Sequence, residues 1–385
     1  MANYFSSDFK LGILGGGQLG KMMLYTTRKF DITTHVMDAS EEAPCKIACN
    51  TFVKGDLLDY DDVYNFGKSV DLLTFEIENV NVNALEALEK EGKKVYPSSK
   101  TLRTIQNKAT QKLFYRDHDI PTSDFTRFAY LSEIKEAINN EALKFPFVWK
   151  AAQFGYDGNG VKIIRQLSDL DGLPKGECIA EDLIPFKNEL AVIVARNLKG
   201  EVKTYPVVEM EFHPEANQVE YVICPARISE DVANKAKEVA LKVSKAFNHV
   251  GLLAVEMFQT KNDEILVNEV APRPHNSGHQ TIEASYTSQF EQHVRAILDL
   301  PLGKTESKAG GIMVNLVGAE GHTGHVVYEH IEDIMQMEGV TPHIYGKKQT
   351  RPFRKMGHVT IVNEDLNEAR RVAEQVKNTI KVISK

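Results

Sequence analysis

The stretch LLAVEMFQTKNDEILVNEVAPRPHNSGH, residues 252–279, decides how the chain is read. Two apolar, β-branched runs flank the polar group Lys261-Asn262-Asp263, the pattern of a β-hairpin. A two-residue turn centred between Asn262 and Asp263 sets Glu256 opposite Glu269 and Phe258 opposite Val267. The two carboxylates then share one face, with Cβ atoms about 4.5–5.5 Å apart. Like charges so placed destabilise a hairpin unless something positive lies between them. Mg²⁺ suits such a pair, because it takes one or two carboxylates and leaves its other positions to substrate phosphates. The alternative is two solvated glutamates on a hairpin whose turn is shifted by one residue. Asn268 and the segment Pro272-Arg273-Pro274-His275-Asn276 favour the metal reading.

A metal held in this way needs phosphates and positive charge nearby. QFGYDGNG (153–160) places Gly155, Gly158 and Gly160 at a hairpin tip, where main-chain N–H groups can wrap an anion. Lys150 ends the strand before it, and Lys108 lies on a polar helix upstream. Any one of these alone reads as a solvated lysine or a mobile turn. Together with paired glutamates on an antiparallel sheet they read as a phosphate site. The strand patterns ECIAEDLIPF, NELAVIVARN, VKTYPVVEME and VEYVICPARI supply that sheet, followed by a helix that starts at Ser229 with an acidic first turn.

The N-terminal part tells a different story. KLGILGGGQLGKMMLYTTRKF (10–30) has an apolar run leading into Gly15, Gly17 and Gly20 at G-x-G-x-x-G spacing, and Asp38 follows about 20 positions on. Alone, this says nicotinamide-dependent oxidoreductase. Strand and helix patterns alternate from Lys10 to about Pro97, as in a parallel α/β unit. TLRTIQNKATQKLFYRDHDI (101–120) is expected to be one polar helix ending before Pro121. A dehydrogenase would have no need of the antiparallel middle.

The 385 residues, 42% hydrophobic and 26% charged, suit two or three globular domains. The net charge of −7 gives no reason to expect nucleic acid or an anionic membrane as partner, and no apolar run approaches a membrane span. The first ten residues lack the layout of a signal peptide, and Cys45, Cys49, Cys178 and Cys224 are too scattered for a disulfide or zinc framework. The expected compartment is the cytoplasm.

The segments GGGQLGKM, FEIENV, FGYDGNG, AEDLIPFKNE, VNEVAPRPHNSGH, HIYGK and RKMGH occur in this order over nearly the whole chain. They resemble the 5-(carboxyamino)imidazole ribonucleotide synthase family of ATP-grasp enzymes, which act in purine biosynthesis. The resemblance implies a mixed α/β and α+β fold of three parts. These are a Rossmann-like domain over 1–105, an ATP-grasp domain over 106–300 and a small C-terminal domain over 301–385. The ATP-grasp part divides into a glycine-loop portion (about 115–180) and a metal-binding portion (about 181–300). ATP would be bound by Lys108, Lys150, Gly155, Tyr156, Asp157, Gly158, Asn159, Gly160, Glu181, Asp182, Leu183, Ile184, Glu189, His213 and Asn268, with Mg²⁺ on Glu256 and Glu269. The implied reaction carboxylates the amine of 5-aminoimidazole ribonucleotide with bicarbonate through carboxyphosphate. Arg273, His275 and Asn276 are the catalytic candidates, and Gln18, Leu19 and Glu76 face the ribonucleotide. Asp38 then becomes a plain strand-end carboxylate. Family members are often homodimers and hand a labile product to a mutase.

HIYGKKQTRPFRKMGH (343–358) concentrates basic side chains in an acidic protein. Arginine beside lysine suits a phosphomonoester, and the resemblance assigns Lys347, Arg354 and Lys355 to the ribonucleotide 5′-phosphate. A formate-using glycinamide ribonucleotide transformylase shares the layout, with Asp where this chain has Asn276. An ammonium substrate wants that carboxylate, whereas the neutral aryl amine of aminoimidazole ribonucleotide needs only an amide. The chain departs from the family at Ala151 and Ala152, where an arginine is common, and at Asn159, where lysine is usual.

Overall fold

A computed structural model describes residues 4–153, 160–214 and 218–385. Strand Lys10–Leu14 is the centre of a five-stranded parallel sheet. Thr33–Asp38 and Thr51–Lys54 lie on one side of it, Leu72–Phe75 and Lys94–Val95 on the other. The strand order reverses between Lys10–Leu14 and Leu72–Phe75, so the turns after these two strands form a crevice at their carboxyl ends, where open α/β sheets take ligands. The buried positions Leu11, Ile13 and Met23 pack against Phe290, Val294 and Ile297 of helix Gln289–Ile297, so one core joins this sheet to the middle of the chain.

The expected polar helix is two helices, Ser99–Gln106 and Lys108–Asp117, broken at Asn107 (φ −121°, ψ 114°). Asn107 leaves the helical region because its side-chain oxygen accepts from Thr110 N (2.9 Å), which starts the second helix. The break puts Lys108 at a helix N-terminus, with its main-chain N–H on Ala152 O (2.7 Å).

A four-stranded antiparallel sheet follows, in the order Phe125–Phe128, Cys178–Asp182, Phe147–Ala151, Val161–Ile164. Its buried strand Cys178–Asp182 runs through residues 183–185 into Phe186–Arg196, a long strand inside a nine-stranded sheet. Of the C-terminal strands, Gln349–Thr350, Gly324–Glu329 and Lys381–Ser384 form a three-stranded sheet of their own, whereas the others join the nine-stranded sheet. Gly310–Val317 pairs with Val219–Cys224, and Lys355–Asn363 and Val340–Ile344 continue outward from it. Sequence pattern locates strands but does not say which sheet they join, and this edge is filled from far along the chain.

Candidate active site

The hairpin of strands Gly251–Thr260 and Ile265–Ala271 sets Glu256 opposite Glu269, by a route other than the one expected. The turn has three residues rather than two, with Asp263 in the left-handed region (φ 60°). Phe258 therefore faces Leu266 instead of Val267, and a bulge at Asn268 restores the register before Glu269. A bulge turns its extra residue toward the same side as its neighbour. Asn268 and Glu269 thus both meet lysines: Lys150 Nζ donates to Asn268 Oδ1 (2.9 Å), and Lys108 Nζ donates to Glu269.

Charge is dense here. Lys108 holds the Glu269 carboxyl well below the usual range. Burial, and then the charges of Glu269 and Glu189, push Glu256 up. Burial followed by Glu269 raises Glu189 to about 7. Glu189 lies on the same sheet face, opposite Phe258 and two residues from Ala191, which pairs with Glu256. His275 Nε2 lies 3.2 Å from Glu256 Oε1. Among the described residues no cluster of three His, Cys, Asp or Glu makes a ready-made metal cage. Two carboxylates that face one cavity, Glu269 kept charged by Lys108 and Glu256 raised by burial and by Glu269, fit Mg²⁺, which draws its remaining ligands from phosphates and water.

Behind this face Glu181 is gripped from both sides. Lys150 Nζ is 3.1 Å from one oxygen and Lys112 Nζ 3.4 Å from the other, and Ser123 Oγ donates at 3.1 Å. Burial opposes its charge, but Lys150 and Lys112 outweigh that and hold the carboxyl low. Lys112 itself is pushed down to about 8 by burial. The sequence reading missed Lys112. Its one signal was i, i+4 spacing from Lys108, which carries meaning only once the helix break is known. Asp182 ends its strand, and Leu183 and Ile184 form the link between the two sheets, with Phe186 N–H on Ile184 O (3.0 Å). His213 follows strand Val208–Phe212, donates its main-chain N–H to Gln218 O (2.8 Å), and its ring lies 5.8 Å from that of Phe353, tilted by 60°. Gly160 has a left-handed φ of 82°. Gly155, Tyr156, Asp157, Gly158 and Asn159 lie outside the described residues.

The opposite wall is the glycine turn at the crevice. Gly17 N–H donates to one oxygen of Glu76 (2.9 Å) and Gly20 N–H to the other (3.3 Å). A Cβ at Gly15, whose φ is 95°, would fall 2.8 Å from the same carboxylate. The helix N-terminus that would hold a dinucleotide pyrophosphate is thus filled by the chain's own anion. The turn taken alone as a dinucleotide site, and with it the oxidoreductase alternative, is corrected. Asp38 is also more than a strand end: its carboxylate accepts from Gly16 N (2.7 Å) and Ser40 N (2.8 Å), pinning the turn.

Between the walls lies one cavity of about 990 Å³. Gln18, Leu19, Glu76, Lys108, Glu256, Glu269, Arg273, His275, Asn276 and Lys355 all line it. Lys150, Glu181 and Asn268 are not in this lining; Lys150 links the other two, and Asn268 directly precedes Glu269 in the chain. Lys347 Nζ donates to Lys355 O (2.7 Å), and Arg354 Nη1 reaches Gln349 O (2.6 Å), so these two stand beside the lining rather than in it. Arg273 pairs with Glu78 (3.1 Å). Sequence reasoning also missed Gln289, which is fully buried and clamps His275 by its main chain. Its Oε1 accepts from His275 N (2.8 Å) and its Nε2 donates to His275 O (2.7 Å).

Comparison with known proteins places these parts. A model of the ATP-grasp domain matches residues 113–290, and one of the ribonucleotide synthetase preATP-grasp domain matches 9–106. The fold and its two-sheet cleft are those of an ATP-dependent ligase of the ATP-grasp class. A phosphoribosylaminoimidazole carboxylase C-terminal domain model matches 311–372. The N5-carboxyaminoimidazole ribonucleotide synthase of Bacillus subtilis is 37% identical over 93% of this chain and 92% of its own length. The crystal structure of N5-carboxyaminoimidazole ribonucleotide synthetase from Thermotoga maritima is 42% identical, with a TM-score of 0.89 over 98% of this chain and all of the other. The Aspergillus clavatus enzyme, solved with ADP and 5-aminoimidazole ribonucleotide, is 34% identical, with a TM-score of 0.88 over 96% and 98% of the two chains. The chain belongs to the N5-carboxyaminoimidazole ribonucleotide synthase family. No helix among the described residues is long and apolar enough to cross a membrane.

Proposed function

We propose that the cleft carboxylates the amine of 5-aminoimidazole ribonucleotide at the expense of ATP and bicarbonate, giving 5-(carboxyamino)imidazole ribonucleotide, ADP and phosphate. The observation that carries this is the shared cavity, with a glutamate pair and lysine on one wall and Gln18, Leu19, Glu76 and Lys355 on the other. In the reaction, bicarbonate takes the γ-phosphoryl group to become carboxyphosphate, and the amine then takes its carboxyl group, phosphate leaving with the amine's proton. Lys108, Lys150 and the glycine loop offset charge on the phosphates, and residues 182–184 with Glu189 and His213 frame the rest of the nucleotide. Glu256 and Glu269 hold Mg²⁺, with Asn268 beside them; the ion supplies charge neutralisation at the phosphates. His275, fixed by Gln289, orients bicarbonate, and Asn276, fixed by Asn315, orients the amine. Lys355, with Lys347 and Arg354 beside it, meets the 5′-phosphate. Carboxyphosphate hydrolyses readily, so the site must exclude water while it exists.

The same reading makes the chain a cytoplasmic homodimer that hands its product to a mutase. All four cysteines are free thiols. The test is ADP release with ATP, Mg²⁺ and bicarbonate, with and without 5-aminoimidazole ribonucleotide. Stimulation by the ribonucleotide is expected. Release that ignores it, or that needs formate and glycinamide ribonucleotide instead, would refute the assignment.

A further inference from the structure

Asn276 faces the cavity, and what holds it stands behind it. Asn315, in strand Gly310–Val317 opposite His358, is buried. Its Nδ2 donates to Val219 O (2.8 Å) and to Asn276 Oδ1 (3.0 Å), and its Oδ1 accepts from Asn276 Nδ2 (3.0 Å). The two amides form a closed pair. An amide's oxygen and nitrogen are nearly alike in shape, so the surrounding network decides its orientation. Here the decision is unambiguous. A main-chain carbonyl only accepts, so Val219 draws the Asn315 nitrogen toward itself. Both Nδ2 hydrogens are then spent, and Asn315 Oδ1 is left facing the Asn276 nitrogen. Asn276 is held in one orientation, with one N–H and one oxygen lone pair remaining for the cavity.

We propose that Asn315 is a positioning residue for carboxyl transfer and sets the substrate amine that the site accepts. It presents the Asn276 amide in one fixed sense to a neutral amine and to the carboxyl group that the amine attacks. It also disfavours a carboxylate at position 276. An aspartate there would receive one hydrogen from Asn315 and set an oxygen against Asn315 Oδ1, losing a hydrogen bond and gaining a repulsion. Position 276 can change to serve an ammonium substrate only if position 315 changes too. The inference rests on the ribonucleotide-carboxylating reading above.

Asn315→Leu keeps the volume and removes every polar contact. Its thermal midpoint is expected to fall modestly, for the bonds lost to Val219 and Asn276, while KM for ATP stays near wild type and ADP release persists. Ribonucleotide amine consumed per ADP released should fall at least threefold, because the amine is no longer aligned when the carboxyl group becomes available. A merely structural role would lower both rates together, and an unchanged ratio would overturn the proposal. Should Asn315→Leu fail to fold, Asn315→Ser carries the same comparison in a smaller, polar form. Asn276→Asp should lower the thermal midpoint in the wild-type background and do so less in the Asn315→Leu background; additive effects would overturn the exclusion. The wild-type assay separates the two levels. Ribonucleotide-independent ADP release there refutes the functional reading, whereas a normal wild type with a stoichiometric Asn315→Leu refutes this inference alone.

Discussion

Acid should loosen the joint between the two walls of the cleft, and His293 is the reason. Its ring is fully buried in helix Gln289–Ile297. Leu252 N–H donates to Nδ1 (3.2 Å), so that nitrogen carries no proton, and Nε2–H donates to Thr74 Oγ1 (2.9 Å). Thr74 lies two residues before Glu76, and Leu252 four before Glu256, so one neutral imidazole bolts the glycine-turn wall to the carboxylate wall. Burial lowers its pKa from 6.5 to about 3. The folded protein therefore binds fewer protons here than the unfolded chain, and stability falls as pH drops from 6.5 toward 3. Each pH unit below 6.5 costs about 1.4 kcal/mol, so at pH 5 this one site removes about 2 kcal/mol. His293→Gln keeps an acceptor for Leu252 and a donor for Thr74 without a titratable nitrogen. Urea unfolding, followed by circular dichroism at pH 7.5, 6 and 5, should show wild type losing about 2 kcal/mol more than His293→Gln over that range. Parallel losses in the two proteins would refute the reasoning, since the protons would then be taken up elsewhere.

Three further outcomes follow from the cleft. Glu269→Gln should reduce turnover at least a hundredfold while the circular dichroism spectrum stays native; an active variant would refute the proposed assignment of Glu269 to a metal. Glu76 is raised in pKa by burial despite its bonds from Gly17 and Gly20, so its charge costs stability above pH 4.5. Glu76→Gln is thus expected to keep or raise the thermal midpoint while weakening ribonucleotide binding at least tenfold, as paired scanning fluorimetry and KM measurements would reveal. Lys112→Met strips one of the two lysines from buried Glu181, which should cost about 2–4 kcal/mol of stability and raise KM for ATP but not for the ribonucleotide.

The alternating α/β unit, the antiparallel middle and the segments around Glu256 and Glu269 were legible because each rests on local pattern or nearby charge. Three features were not. The break at Asn107 looked like continuous helix, since an asparagine that caps the next turn has the same letter as one that sits in a helix. Glu76 on the glycine turn is a contact 59 residues long, and nothing in G-x-G-x-x-G spacing reveals that the anion is supplied internally. Lys112, Gln289 and Asn315 act from behind the lining. Their roles exist only once distant strands are placed side by side.

The hairpin shows how a correct pairing can follow from a wrong register. The longer turn shifts the strands by one residue, and the bulge at Asn268 shifts them back, so the two glutamates meet whichever way the turn is counted. The bulge does something a regular strand cannot: it turns two neighbouring residues toward the site, giving Lys150 and Lys108 a partner each. Lys108 lies on Glu269, Lys150 on Glu181 and His275 on Glu256. On the proposed function, these pairs are exchanged rather than created when nucleotide and cation arrive. Lys108 would turn from a carboxylate to a phosphate, leaving Glu269 to hold the cation. Each of these three carboxylates has a basic group beside it, which offsets part of the desolvation cost of gathering them. Binding then has to supply only the difference between two well-compensated arrangements.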